Sequence, residues 1–336
     1  MREPAFWYRP PSWMSHLLAP FGATYGAITT QRMTRDGVSA GLPVLCVGNY
    51  HVGGAGKTPA TLALVKLLRE MGEQPFVVSR GYGGSQQGPV RVDQVAHTAA
   101  DVGDEPLMMA SSVPVIVSRD RVAGAAMARA QGASVVLLDD GFQNPALVKD
   151  ASLIVIDAVR GVGNGSVFPA GPLRAPLEPQ IARTDALIVI GTGDAANVIA
   201  TKVLRHGAPV MLAHLVPDQV SVDRLRGQHV LAFAGIGDPL RFFATLHACG
   251  VDVVEEKAFA DHHPFTPDEI GSLVSDAAAR SLTLVTTAKD MARIRSDVRL
   301  QSYANGIAIF PVTLDFDDAA MLRNFVTERL AKARAR

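Results

Sequence analysis

The chain has 336 residues, of which 48% are hydrophobic and 19% charged, so it can bury one large or two moderate cores and is not a disordered polypeptide. Lysine plus arginine equals aspartate plus glutamate at 32 each, which excludes the global basic field of a nucleic-acid binder. The two cysteines, Cys46 and Cys249, make neither a disulfide framework nor a metal-ligand spacing, and a reducing cytosol is the default compartment.

From Pro10 to Gln31 there is no Asp, Glu, Lys or Arg, while Trp13, Met14, Leu17, Leu18, Phe21, Tyr25 and Ile28 recur along the stretch. Pro20, Gly22 and Gly26 argue against a spanning helix, which needs roughly 20 predominantly apolar residues. The compact apolar core and cleavage site of a signal peptide are also missing. Two readings stay open: a helix packed on the protein's own core, or an amphipathic segment in a membrane interface, flanked by Arg2, Arg9, Arg32 and Arg35.

Next, an apolar strand over Val44 to Val47 runs into a glycine-rich turn, His51-Val52-Gly53-Gly54-Ala55-Gly56-Lys57-Thr58, before a helical pattern near Ala60 to Met71. Glycines here let successive backbone N–H groups turn inward on phosphate oxygens. Lys57 supplies a charge for the β and γ phosphates, the Thr58 hydroxyl suits Mg²⁺, and the helix start adds its positive dipole end. Pro59 is compatible with a first helical turn. The usual pattern has glycine five residues before Gly56, where His51 stands, so the later Gly-Gly-Ala-Gly-Lys-Thr core carries the expectation of triphosphate binding over positions 51–58.

Beyond this point apolar runs alternate with helical patterns, as in βαβ units and parallel sheets. Strands are expected at Phe76–Ser79, Val113–Val117, Val135–Leu138, Leu153–Ile156 and Ala186–Ile190, then Val210–Leu212, Val230–Phe233, Val251–Val254, Leu282–Thr286 and Ile307–Pro311. Helical patterns cover Val122–Gln131, Leu240–Ala248, Pro267–Arg280 and Asp317–Ala333. The fold class is α/β, P-loop NTPase-like, with two α/β/α lobes of mainly parallel sheet and an N-terminal amphipathic helix. Its divisions are an N-terminal segment at 1–40, a P-loop lobe at 41–210 and a smaller lobe at 211–336. Glycine- and proline-rich loops at Gly81–Gly84, Gly161–Gly165 and Pro169–Arg174 are expected to wall one cleft at the carboxyl ends of strands.

Three groups carry candidate chemistry. The strand ending in Asp139-Asp140 has the form of a second phosphate-loop element, whose carboxylates face Mg²⁺ opposite Thr58. In Gly103-Asp104-Glu105-Pro106, Asp104 reads as a helix N-cap or as the base that accepts a hydroxyl proton. In Asp261-His262-His263, a histidine is either a solvated loop residue or the partner that tunes Asp104 across the cleft. Arg80, Arg119, Arg121, Arg174 and Arg183 lie in or beside the cleft loops and together suit a phosphorylated substrate.

The ordered set of these stretches resembles the tetraacyldisaccharide 4′-kinase family, the lipid A 4′-kinases of Gram-negative bacteria. The matching stretches are Val47-Gly48-Asn49, Val52 to Pro59, Ser79 to Gly84, Gly103 to Pro106, Asp139 to Gln143, Gly163 to Gly165, Pro169 to Arg174, Phe233 to Gly237, Asp261 to His263, and Thr286-Thr287 with Lys289-Asp290. The resemblance implies transfer of the ATP γ-phosphate to the 4′-hydroxyl of an acylated glucosamine disaccharide 1-phosphate lipid. It implies a peripheral, monomeric enzyme at the cytoplasmic face of the inner membrane, with no nucleic-acid partner. Asp104 is then the base with His262 as its partner, Lys57 works on the phosphates, and Thr58, Asp139 and Asp140 surround Mg²⁺. An acylated substrate also favours the interfacial reading of the N-terminal helix. The chain departs from the family pattern at Asn144, Ala175 and Ala288, with Glu178 as a carboxylate near the acidic position that Ala175 replaces.

The main rival is a nucleotide-switch ATPase or GTPase of the metallochaperone or partitioning type. Those ATPases often carry Lys where Val52 stands, and the chain has no Asn-Lys-x-Asp guanine reader. A peripheral membrane binding protein without catalysis would leave Asp104 and His262 unexplained.

Overall fold

Apolar, β-branched runs form the strands of two sheets in the computed structural model, which describes residues 3–54 and 56–336. Arg2 and Ala55, both singled out in the sequence, lie outside the described residues. The larger sheet contains β1 (Val44–Gly48), β2 (Pro75–Ser79), β3 (Val90–Arg91), β4 (Val115–Val117), β5 (Val135–Asp139), β6 (Ala151–Asp157), β7 (Ala186–Ile190), β8 (Val210–Pro217) and β13 (Val312–Phe316). The smaller contains β9 (His229–Ala234), β10 (Asp252–Ala258), β11 (Thr283–Thr286) and β12 (Ile307–Ile309).

Twelve α-helices among the described residues cover these sheets. They are α1 (Trp13–Met33), α2 (Lys57–Glu70), α3 (Ala99–Val102), α4 (Asp104–Met109), α5 (Arg121–Ala130), α6 (Leu177–Ile181), α7 (Asn197–Arg205), α8 (Gln219–Leu225), α9 (Pro239–Ala248), α10 (Pro267–Ala279), α11 (Ala288–Ser296) and α12 (Ala319–Arg334). Each sheet is buried on both faces. Side chains of α2, α4 and α12 fill one side of the larger sheet, and α5, α6 and α7 fill the other. In the smaller sheet α10 and α11 cover one face, α8 and α9 the other. Burial on both faces explains why the central strands read as continuous apolar runs rather than alternating ones.

The larger sheet runs β13-β8-β7-β6-β1-β5-β2-β4-β3, parallel except for β13 on β8 and β3 on β4. The chain leaves β1 toward β2, beyond β5, and later leaves β5 in the opposite direction toward β6, so the switch point where ligands gather in such sheets lies between β1 and β5. Val47 pairs in register with Asp139, which sets the turn after β1 beside the acidic end of β5.

The lobe boundary expected at 211 is corrected by this topology. β8 is a strand of the larger sheet, and β13 returns to pair with it antiparallel, Leu215 opposite Leu314. Leu322, Phe325, Val326 and Leu330 of α12 then pack into the larger core. The smaller lobe is therefore an insertion running from α8 to β12, and the C-terminal segment belongs to the P-loop lobe. β13 escapes a sequence reading because Pro311 ends the preceding apolar run and Asp315, Asp317 and Asp318 surround its few apolar residues.

α1 departs from an ordinary amphipathic helix. Its buried positions are small, Ser15, Gly22 and Gly26, with Met33 at the end. A Cβ on Gly22 would stand 2.8 Å from the Val167 carbonyl oxygen, and one on Gly26 3.2 Å from the Pro176 ring. The large apolar side chains point outward: Trp13 is 72%, Leu17 64%, Phe21 66% and Ile28 63% exposed. No helix among the described residues is long and apolar enough to cross a membrane.

Candidate active site

The phosphate loop begins at the end of β1 and closes at Gly56, which sits at φ +85° as the N-cap of α2. A Cβ there would fall 2.6 Å from Ile190 Cδ1, so both conformation and space demand glycine. Lys57 and Thr58 open the helix, with Pro59 in its first turn, as the sequence indicated. His51 has a place of its own. It is buried, bridges to Leu173, and its carbonyl accepts a hydrogen bond from Arg174 Nε at 3.0 Å. Val52 N–H donates to the Pro172 carbonyl at 2.8 Å. Position 51 thus ties the phosphate loop to the Pro169–Arg174 loop. Burial, helped by the charges of Lys57, Arg174 and Arg160, pushes the His51 imidazole down to about 4, so it is neutral.

The two carboxylates after β5 divide their roles by environment. Asp140, in the left-handed region at φ +54°, receives both ends of the Arg174 guanidinium, Nη1 at 2.6 Å and Nη2 at 2.9 Å. Lys57 Nζ stands 3.9 Å away. Burial raises the Asp140 carboxyl, but Lys57 and Arg174 outweigh it and hold it well below the usual carboxylate range. Asp139 is fully buried, accepts from Ser79 Oγ at 3.2 Å through Oδ2, and leaves Oδ1 with no partner. Burial first, then the charges of Glu105 and Asp140, push Asp139 up to about 7.

An orphaned buried carboxylate oxygen beside a cationic phosphate loop is the environment a divalent cation relieves. The Asp139 carboxylate and the Thr58 hydroxyl are hard oxygen donors of the kind that suit Mg²⁺.

Across the cleft, Asp104 opens α4 after Gly103 and is buried, although it is not held there as a cap: its Oδ1 accepts only the neighbouring Glu105 N–H, at 2.9 Å. His262 Nδ1 lies 2.9 Å from Asp104 Oδ2. The loop carrying His262 is pinned by its own N–H on the Gly235 carbonyl and by a left-handed backbone at φ +59°. Burial raises the Asp104 carboxyl, but the His262 hydrogen bond and the charges of Lys289, His262 and Arg293 prevail and hold it below the usual value. His263 turns away: Nε2 meets Glu269 at 2.9 Å and the ring stacks on Phe259 at 4.9 Å. The adjacent histidines are thus separated into one that meets Asp104 and one that braces its own lobe.

Several residues to which the sequence reading gave no role complete the site. Asp290, fully buried, accepts the Gly235 N–H and the Thr287 hydroxyl and pairs with Arg293. Arg293 donates to the carbonyls of His263 and Gly235, holding the loop that presents His262. The i, i+3 spacing of Asp290 and Arg293 on one helix was the available signal. Gln180 bridges the carbonyls of Tyr50 and Ala175 and meets Gln143 at 2.9 Å. Tyr82, from the Gly81–Gly84 loop, sets its ring 5.8 Å from that of His262.

Other expected residues lie elsewhere. Glu178 does not stand in for the acid absent at Ala175: Ala175 is fully buried, whereas Glu178 is solvated and paired with Lys202 at 2.5 Å. Arg183 precedes β7, at the opposite end of the strands from the phosphate loop, and lines a 260 Å³ cavity with Lys149 and Met33. Arg80 and Arg119 are exposed. Arg121 is buried and donates to the Ser118 carbonyl, its charge felt by Asp139 and Asp140 without contact, so of the five arginines Arg174 is the one paired with the acidic strand end.

Comparison with known proteins agrees with this architecture. Residues 14–331 match the family model described as tetraacyldisaccharide-1-P 4′-kinase. A tetraacyldisaccharide 4′-kinase of Rhodopseudomonas palustris (strain BisB5) is 61% identical over all 336 residues, covering 100% of this chain and 99% of that protein. One of Bradyrhizobium diazoefficiens is 61% identical over 336 residues, 100% of this chain and 98% of the relative. Among solved structures, LpxK from Aquifex aeolicus in complex with ATP superposes with a TM-score of 0.71 at 26% identity, over 94% of this chain and 99% of that one. With a family model spanning nearly the whole chain and relatives of this identity, the chain belongs to the tetraacyldisaccharide-1-P 4′-kinase family.

Proposed function

We propose that this chain transfers the γ-phosphate of ATP to the 4′-hydroxyl of a tetraacylated glucosamine disaccharide 1-phosphate. The observation that carries the reading is the Asp104–His262 pair, which joins a buried carboxylate of the P-loop lobe to a histidine of the inserted lobe. A nucleotide switch has no use for a buried base facing an open cleft, and phosphoryl transfer to a hydroxyl does. Among the described residues no helix offers a membrane span, so contact with lipid falls to the outward stripe of α1.

In this reading the loop from His51 to Thr58 cradles the donor phosphates, and Lys57 neutralises charge that develops on them. Arg174 keeps Asp140 ionised and fixed beside Lys57. Asp139 and Thr58 would hold Mg²⁺, which when bound would supply positive charge beside the donor phosphates. Asp104 orients the acceptor hydroxyl and takes its proton as the new phosphorus–oxygen bond forms and the β–γ bridging bond breaks, releasing ADP. His262 keeps the Asp104 carboxylate aimed and ionised.

Trp13, Leu17, Phe21 and Ile28 dock the enzyme on the cytoplasmic face of the inner membrane, where an acylated acceptor resides. A charge-free outward face with Arg32 and Arg35 at its end supports that placement. A monomer suffices, because Lys57, Asp104, Arg174 and His262 all come from one chain. The test is incubation of purified protein in detergent with γ-labelled ATP, Mg²⁺ and the disaccharide 1-phosphate lipid. Label entering the lipid is the expected result; ATP binding with no labelled lipid would sink the reading.

A further inference from the structure

α11 is one of the elements through which the two lobes meet, the Arg241–Asp157 pair between α9 and β6 being another. It packs on α4 and α3, and Ser296 Oγ near its end accepts the Ala99 N–H at 3.2 Å. Lys289, in its first turn, is only 16% exposed and faces three carboxylates. Its Nζ stands 3.3 Å from Glu105 Oε1, 3.7 Å from Asp104 Oδ2 and 3.7 Å from Asp261 Oδ1. Asp104 and Glu105 belong to the P-loop lobe, Asp261 to the inserted lobe beside His262. Asp261 Oδ1 is buried and has no hydrogen-bond partner, so the ammonium is its nearest compensation. Without that charge, three acidic groups from two lobes would confront one another, and like charges at this range oppose closure.

Resting on the reading of Asp104 as the base, we propose that Lys289 is the interlobe positioning residue of the transfer site: its ammonium, shared among Asp104, Glu105 and Asp261, keeps the Asp104–His262 pair assembled. The groups facing Asp104 are Glu105 on α4, Asp261 and His262 on the loop after β10, and Lys289 and Arg293 on α11, whose Nε is 3.6 Å from Asp104 Oδ2. Tyr82 closes the outer side against the His262 ring. Arg293 commits Nη1 and Nη2 to Asp290 and two backbone carbonyls and turns only Nε toward Asp104; it pairs with neither Glu105 nor Asp261, so it does not bridge the three carboxylates as Lys289 does. The ion pairs of Lys289 among the described residues are with Asp104, Glu105 and Asp261 and with none of the phosphate loop, which separates its effect from nucleotide binding.

The experiment compares full-length wild type, Lys289→Met, Lys289→Gln and Lys289→Arg by two readouts. In the lipid-labelling assay, Lys289→Met and Lys289→Gln lower kcat by about 10²-fold, the cost of a misplaced catalytic group, with ATP Kd within about twofold. Removing the cation raises the proton affinity of Asp104, so the acid limb of the rate profile moves up by about one pH unit. Lys289→Arg keeps the charge and restores most of the rate. Independently of any lipid, the His262 ring resonances move and broaden in Lys289→Met and stay near their wild-type positions in Lys289→Arg, because the pair loses the cation that holds it together. An acid limb and ring resonances both unchanged in Lys289→Met and Lys289→Gln would overturn the inference even if kcat fell. Wild type that binds ATP but labels no lipid defeats the proposed function instead, and the ring resonances then still decide whether Lys289 governs the pair.

Discussion

Nδ1 of His262 lies 2.9 Å from a carboxylate oxygen of Asp104, although 158 positions and a change of lobe separate them. The contact exists because α4 and the loop after β10 converge on α11, with Asp290 and Arg293 fixing that loop from behind. The pair forms only when both lobes are in place, so on the proposed role of Asp104 the transfer step would depend on their contact.

Asp104→Asn keeps the shape of the side chain and removes its basicity. Transfer to lipid is expected to fall by about 10²–10⁴-fold, with ATP affinity nearly unchanged. Isothermal titration with ATP beside the labelling assay separates the two quantities. A parallel loss of ATP affinity would show that Asp104 serves the nucleotide rather than the acceptor.

Arg174 holds Asp140 through two nitrogens and His51 through a third. Arg174→Met should lower kcat/KM for ATP by about 10²-fold, the scale of losing one preorganised electrostatic group. Arg174→Lys should recover only part of this, because an ammonium cannot reproduce the forked geometry. Full recovery by lysine would mean that charge alone matters at this position.

Asp139, pushed up to about 7, has a definite pH signature. An unfolded carboxyl titrates near ~3.9, so between that value and about 7 the unfolded chain releases a proton that the folded one keeps. Its penalty on stability therefore grows as pH rises through that window and is complete above it. In metal-free protein, Asp139→Asn should raise Tm by roughly 2–4 °C at pH 8 and leave it unchanged at pH 4. Added Mg²⁺ with nucleotide should raise the Tm of wild type and not of the variant. A variant less stable than wild type at pH 8 would remove the metal-site reading of Asp139.

On the proposed docking role of α1, its two faces would divide docking from folding. Replacing Leu17 and Phe21 together by serine touches only exposed side chains, so Tm should hold while partitioning into anionic vesicles falls about tenfold or more. Gly26→Leu acts on the other face, against the Pro176 ring, and should destabilise by about 1–3 kcal/mol through overpacking. Vesicle binding by the double variant equal to that of wild type would leave α1 as a structural strap alone.

Most of the sheet was legible because strands buried on both faces advertise themselves as apolar runs: β7 falls on Ala186–Ile190 in sequence and structure alike. The return of β13 to β8 was not, since a short half-buried strand among aspartates carries no comparable signal. Local motifs likewise announced Lys57, Thr58, Asp139 and Asp140 as residues, although the partners that set the two carboxylates, Ser79, Lys57 and Arg174, lie tens of positions away. Glu178 shows the limit of such inference: its proximity to Ala175 in sequence does not bring its carboxylate to the site.

By itself, then, the sequence determined the phosphate loop, the acidic strand end and an α/β architecture, each encoded by short-range spacing of glycine, charge and apolar residues. Only the tertiary structure decided which histidine meets Asp104, that Lys289 stands among three carboxylates, and that α1 turns its glycines inward and its large side chains out. Those outcomes depend on contacts between segments far apart in the chain, where packing and charge compensation, rather than local pattern, select the partner.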